Sequence, residues 1–78
     1  MWVYVLRSLR NPGRHYTGRS GDVKARLEAH NQGKCRHTAR WRPWKLIAAM
    51  WFADEAKGRE FEAYLKTGAG RAFCRRHF

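Results

Sequence analysis

The spacing of apolar and polar positions changes period along the chain, and the changes mark out its elements. Trp2 to Ser8 is aromatic, β-branched and apolar on both faces, which predicts a strand buried on both sides. Asn11-Pro12-Gly13 is a turn signal, and His15-Tyr16-Thr17 resumes an extended segment before Gly18, so a hairpin with Tyr4 and Tyr16 on paired strands is expected. Asp22 then caps a helix through Val23, Leu27 and Asn31, and Gly33 is placed to end it. On that helix Arg26 and His30 are four apart and share a face, whereas Lys24 and Glu28 form a surface pair on another. Lys34 to Arg42 is basic without apolar periodicity and reads as a loop.

Pro43 leads into a third strand, Trp44 to Phe52, with few polar positions. Asp54 starts a second helix containing Ala56, Phe61, Tyr64 and Leu65, with Gly58 inside it at a cost of about 1 kcal/mol against Ala. Thr67-Gly68-Ala69-Gly70 breaks that helix, and Arg71 to Arg76 starts a short third one. The order β-β-α-β-α-α implies an α/β (α+β) fold, a small three-stranded antiparallel sheet flanked by helices. With 78 residues and no repeat or linker, one domain over 1–78 is the expectation.

Composition adds the class of partner. An apolar share of 44% with four Trp excludes disorder, while 17 Lys+Arg against 6 Asp+Glu give a net charge of +11. So large an excess carries a self-repulsion cost and draws polyanions, nucleic acid first among them; solubility alone is the blander account. The opening apolar run ends at Arg7, too short for a signal or a membrane span. Cys35 and Cys74 do not make a disulfide scaffold, so a reducing cytoplasm is the default. Pairing Cys35 with His37 and Cys74 with His77 as a zinc site is disfavoured by loose spacing and the basic tail.

Val3-Tyr4-Val5 followed by Tyr16-Thr17-Gly18 resembles the paired signature of the GIY-YIG nuclease superfamily. The Asp22–Gly33 run is similar to that family's first helix, with its Arg and His, and Phe61 to Lys66 looks like the helix carrying the family's metal-binding Glu. Tyr64 to Phe73 resembles small stand-alone bacterial members, themselves similar to the N-terminal nuclease domain of the excision-repair subunit UvrC. The resemblance covers essentially the whole chain. Val-Tyr-Val stands where the signature has Gly-Ile-Tyr, so the tyrosine is kept and the literal motif is not.

That resemblance implies metal-dependent cleavage of phosphodiester bonds. Glu62 would ligate a single Mg²⁺ (or Mn²⁺), with substrate phosphate completing the coordination and weak metal binding without nucleic acid. Arg26 would hold the scissile phosphate, His30 would position or deprotonate the water, and Tyr4 or Tyr16, Tyr4 by preference, would act as base or orienter. Each has a plainer rival: tyrosines packing across a hairpin, a solvated Arg26–His30 face, and a Glu62–Lys66 surface pair. Arg36, Arg40, Arg42, Lys66, Arg71, Arg75 and Arg76 form a candidate substrate track, with Trp41 either stacking on a base or lying in the core.

The function expected is hydrolysis of DNA by a divalent-metal-dependent endonuclease, with repair or recombination suggested by analogy. The alternative is a non-catalytic nucleic-acid-binding module on the same fold; a protein-interaction module with a basic surface is a third possibility. No sequence-reading module is present, so targeting would need a partner or self-association as a homodimer.

Overall fold

The computed structural model describes residues 1–78. Two strands come first, β1 (Trp2–Ser8) and β2 (His15–Ser20), then helices α1 (Val23–Asn31) and α2 (Arg36–Ala39), strand β3 (Trp44–Trp51), and helices α3 (Glu55–Leu65) and α4 (Gly68–His77). The sheet is antiparallel in the order β2-β1-β3. Its central strand is therefore β1, which explains why its side chains are apolar on both faces: Val3, Tyr4, Val5 and Leu6 are all fully buried.

Alternation along β1 divides the protein into two layers. Val3 and Val5 pack with Leu65 and Cys74 beneath α3 and α4, joined by Phe61 and Phe73. Tyr4 and Leu6 pack with Trp44 on the opposite face, joined by Tyr16, Val23, Leu27 and Trp41 beneath α1 and α2. No helix is long and apolar enough to cross a membrane.

The caps hold as expected. Asp22 accepts a hydrogen bond from the Ala25 amide at 3.0 Å, Asp54 accepts from those of Ala56 and Lys57, and Gly33 follows α1 with a φ of +79°. Three boundaries differ. The second strand runs through Gly18 to Ser20. Residues 34–42 are not all loop, because Arg36–Ala39 turn once as α2. The last helix begins at Gly68 rather than Arg71, with the Thr67 hydroxyl accepting from the Gly70 amide at 3.1 Å. The glycines there end α3 yet open α4, since a Cβ at Gly70 would run into the backbone of Tyr64 and Leu65.

Asn31 fixes the end of α1 to β3. Its amide oxygen accepts from the Trp44 N–H at 2.6 Å and its amide nitrogen donates to the Trp44 carbonyl at 3.1 Å. The one-turn α2 is anchored from both sides, by the Trp44 indole N–H donating to the Thr38 carbonyl at 2.9 Å and the Ser8 hydroxyl donating to the Trp41 carbonyl at 2.6 Å.

Candidate active site

Sheet register sets the two tyrosines side by side. Tyr4 faces Gly18 across the strand pair and Tyr16 faces Leu6, so the tyrosines are diagonal neighbours on one face with ring centroids 6.3 Å apart. The Tyr4 ring occupies the space over Gly18, where a Cβ would lie 2.6 Å from the Tyr4 hydroxyl oxygen and 3.0 Å from Tyr16 Cε2. Glycine is thus required at this strand position by the rings themselves. A glycine inside a strand is a sign of close approach, which is the signal by which Gly18 could have been singled out.

His30 joins this pair from α1. It is fully buried, its ring centroid lies 4.8 Å from that of Tyr16, its Nε2 is 3.1 Å from the Tyr4 hydroxyl and its Nδ1 is 2.7 Å from the Thr38 hydroxyl. Hydrogen-bond accounting assigns the protons. The buried Tyr4 hydroxyl has no acceptor other than His30 Nε2, so Tyr4 donates to it. His30 must then carry its proton on Nδ1 and donate to Thr38, whose own hydroxyl donates to the Cys35 carbonyl at 3.3 Å. The chain Tyr4→His30→Thr38→Cys35 is complete, and no buried side-chain polar atom is left without a partner.

The charges around it are uneven. Burial pushes the Tyr4 hydroxyl above its ordinary pKa, and the exposed Arg26 guanidinium beside it pulls it back. Tyr16 is raised by burial and by the neighbouring Cys35 and Glu62, with Arg26 opposing. His30 is lowered, first by burial and then by Arg26, which keeps it neutral and able to accept a proton. The hydroxyl of half-buried Tyr16 makes no hydrogen bond within the protein.

Glu62 comes from α3, on the other layer, and meets the site at the β2 edge. Its side chain is 16% exposed and lies between Arg19 Nε at 3.4 Å and Lys66 Nζ at 3.2 Å. No group of three or more His, Cys, Asp or Glu is gathered anywhere in the chain. The Lys66 pair anticipated as the plain alternative for Glu62 therefore exists, and Arg19 shares the carboxylate with it.

The basic residues split into two sets. Lys66 and Arg71 border a cleft of about 690 Å³ between the β1–β2 turn and α4, which Tyr16 also lines. Arg36, Arg40 and Arg42 are exposed on the α2 side and do not line it. Arg42 lies across Gly33 at the end of α1. Trp41 is half-buried against the second core cluster, with the Arg14 and Arg40 guanidiniums 4.1 and 5.1 Å from its ring centroid.

A model of the GIY-YIG catalytic domain matches residues 1–72. The chain belongs to the GIY-YIG family. Two proteins of Streptococcus pneumoniae, both named UPF0213 protein, are 38% and 36% identical to it over 66 residues, which is 83% of this chain and 65% of each relative. The chain thus matches slightly under two thirds of the relatives' length. No solved structure matches the chain at a significant level.

GIY-YIG proteins are a family of nucleases, and the α+β order found here is that of the family. Of the five GIY-YIG residues singled out in the sequence, Tyr4, Tyr16, Arg26 and His30 gather under α1, with Glu62 at the sheet edge beside them. Thr38 and Gly18 complete the arrangement; Gly18 was read only as part of the second motif, and Thr38 was not singled out.

Proposed function

We propose that residues 1–78 act as one catalytic domain, a divalent-metal-dependent endonuclease hydrolysing phosphodiester bonds in DNA. The observation that carries this reading is the hydrogen-bond chain through His30: its Nε2 is 3.1 Å from the Tyr4 hydroxyl and its Nδ1 2.7 Å from that of Thr38, and a proton assigned to Nδ1 leaves Nε2 open to the Tyr4 proton.

In this mechanism Arg26, exposed over Tyr4, moves its guanidinium to the non-bridging oxygens of the scissile phosphate, which it matches bidentately. Tyr4 takes a proton from the attacking water while passing its own to His30 Nε2. The water oxygen bonds to phosphorus, the bond to the leaving oxygen breaks, and that oxygen takes a proton from solvent. The unbonded Tyr16 hydroxyl orients the water. The imidazolium formed on His30 is disfavoured by burial and Arg26, which returns the proton after turnover.

The residues fit a metal in a limited way. Glu62 offers a single hard carboxylate, and Mg²⁺ or Mn²⁺ can bind through one carboxylate when substrate phosphate and waters supply the rest. Such an ion supplies positive charge to the phosphate oxygens as negative charge builds on them. Arg19 and Lys66 already neutralise Glu62, so metal binding without nucleic acid is expected to be weak. Repair or recombination in the cytoplasm, and a targeting partner or homodimer, complete the reading.

The same double ion pair favours a second reading, a nucleic-acid-binding module without catalysis. Cleavage of labelled single-stranded, duplex and branched DNA with Mg²⁺ or Mn²⁺ separates the two. The nuclease reading expects cutting that Glu62→Ala abolishes with binding kept; binding by the wild type with no cutting of any substrate would establish the module instead.

A further inference from the structure

The cleft between the β1–β2 turn and α4 is charged in a way that the folding of the domain does not require. Asn11, Arg14 and His15 line it from the turn, Lys66 from the end of α3, and Arg71 and Arg75 from α4; no acidic residue does. Arg71 and Arg75 are four apart on one helix face, where like charges repel and cost a few tenths of a kcal/mol. Neither they nor Arg14 has a carboxylate within 4.0 Å, because the chain's ion pairs are confined to Arg19, Lys57, Arg59 and Lys66. His15 is kept neutral by burial and by Arg7 and Arg75, so it faces the cleft as a hydrogen-bonding group rather than a further cation.

Two connections make the cleft part of a longer surface. At one end Lys66 bonds Glu62, and Tyr16 belongs both to the cleft and to the tyrosine–histidine cluster. At the other end Arg14 lies against the Trp41 ring, with Arg40 beyond it. Cations following a groove with an aromatic at its side are the pattern of single-strand binding. A volume near 690 Å³ gives room for a short stretch of one sugar–phosphate chain, and an aromatic ring at its side suits a strand whose bases are unpaired.

We propose that this cleft holds one unpaired nucleic-acid strand by its phosphates, without reading sequence, and leads it to the Tyr16–Glu62 edge. The proposal rests on the nuclease reading for what the strand is there for, not for the binding itself. As phosphates draw Lys66 away, a Glu62 oxygen is released, so strand and metal binding reinforce one another.

The test is binding of a fluorescent oligothymidylate and of a blunt duplex of equal length across a salt series. Wild type is compared with Arg71→Gln/Arg75→Gln and with Lys24→Gln/Lys45→Gln, which removes equal charge from α1 and from β3 at the opposite sheet edge. Circular dichroism of each variant checks that it is folded. The cleft variant should weaken oligothymidylate binding about ten- to thirtyfold near 0.1 M salt and flatten the salt slope by about 1.4. The control should change binding less than about threefold. Equal losses in the two variants would show only a diffuse positive field and overturn the proposal. So would a duplex bound as tightly as the single strand with the same sensitivity to the cleft variant, or no binding by the wild type. Failure of the nuclease reading has a different signature: tight, cleft-dependent binding without cutting, which leaves the cleft assignment in place.

Discussion

The two faces of the sheet are built from alternate residues of the same strand and differ in what holds them together. Under α3 and α4, Val3 and Val5 meet Leu65, Cys74 and a ring of phenylalanines, and contact is by shape and apolar area. Under α1 and α2, Tyr4 and Trp44 reach a buried histidine and threonine by directed hydrogen bonds, with the Tyr16 ring packed against the histidine. A buried polar chain contributes little net stability when complete and costs much when broken. The first face is therefore held by packing alone, and the second carries the residues proposed for catalysis.

That contrast can be broken at both ends. On the apolar face, Leu65→Ala should have the largest effect on folding, a loss of about 2–5 kcal/mol in a denaturant melt, since Leu65 is 1% exposed and its removal leaves a cavity in the core. On the polar face, Thr38→Val leaves the His30 Nδ1 proton without a partner and should cost about 1–3 kcal/mol. It should also depress cleavage more than that loss explains, whereas Thr38→Ser restores both. An unchanged cleavage rate in folded Thr38→Val would remove threonine from the proton chain.

Acid should weaken the domain next, through His30 on the polar face and through His15 beside α4. His30 and His15 both have folded pKa values below the ordinary 6.5, so the unfolded chain binds more protons. Stability is full above 6.5 and falls as pH drops below it, by up to about 1.4 kcal/mol per pH unit for each histidine. His30→Gln should remove its share of that slope in melts run across this range. The smallest effect on folding is expected for Tyr16→Phe, within about 0.5 kcal/mol because the hydroxyl is unbonded, and yet cleavage should drop.

The division between faces also explains what could be read from the chain. Strand β1, the Asp22 and Asp54 caps and the Gly33 stop were legible because local chemistry decides them. A hairpin register pairs Tyr4 with Tyr16 and one helix face pairs Arg26 with His30, but only the family resemblance joined the two pairs, since their meeting is packing between elements 26 residues apart. Helix α2 was not legible, because one turn has no apolar period and is held by side chains outside it, Ser8 33 residues before Trp41 and Trp44 in the next strand. Thr38 was missed with it. Arg19 on Glu62 and the separation of Arg36, Arg40 and Arg42 from the cleft likewise depend on packing between elements. The opening of α4 was misread because glycines that favour a break also permit the close crossing of two helices.

The central claim is that the Tyr4 hydroxyl transfers a proton and does not merely fill the space over Gly18. The measurement that tests it most directly is single-turnover cleavage by Tyr4→Phe at saturating DNA, with stability and binding measured on the same preparation. A fall in cleavage of at least about a hundredfold is expected, with a stability loss of only about 1 kcal/mol from the unpaired His30 Nε2 and unchanged binding. Cleavage at the wild-type rate by the folded variant would contradict it.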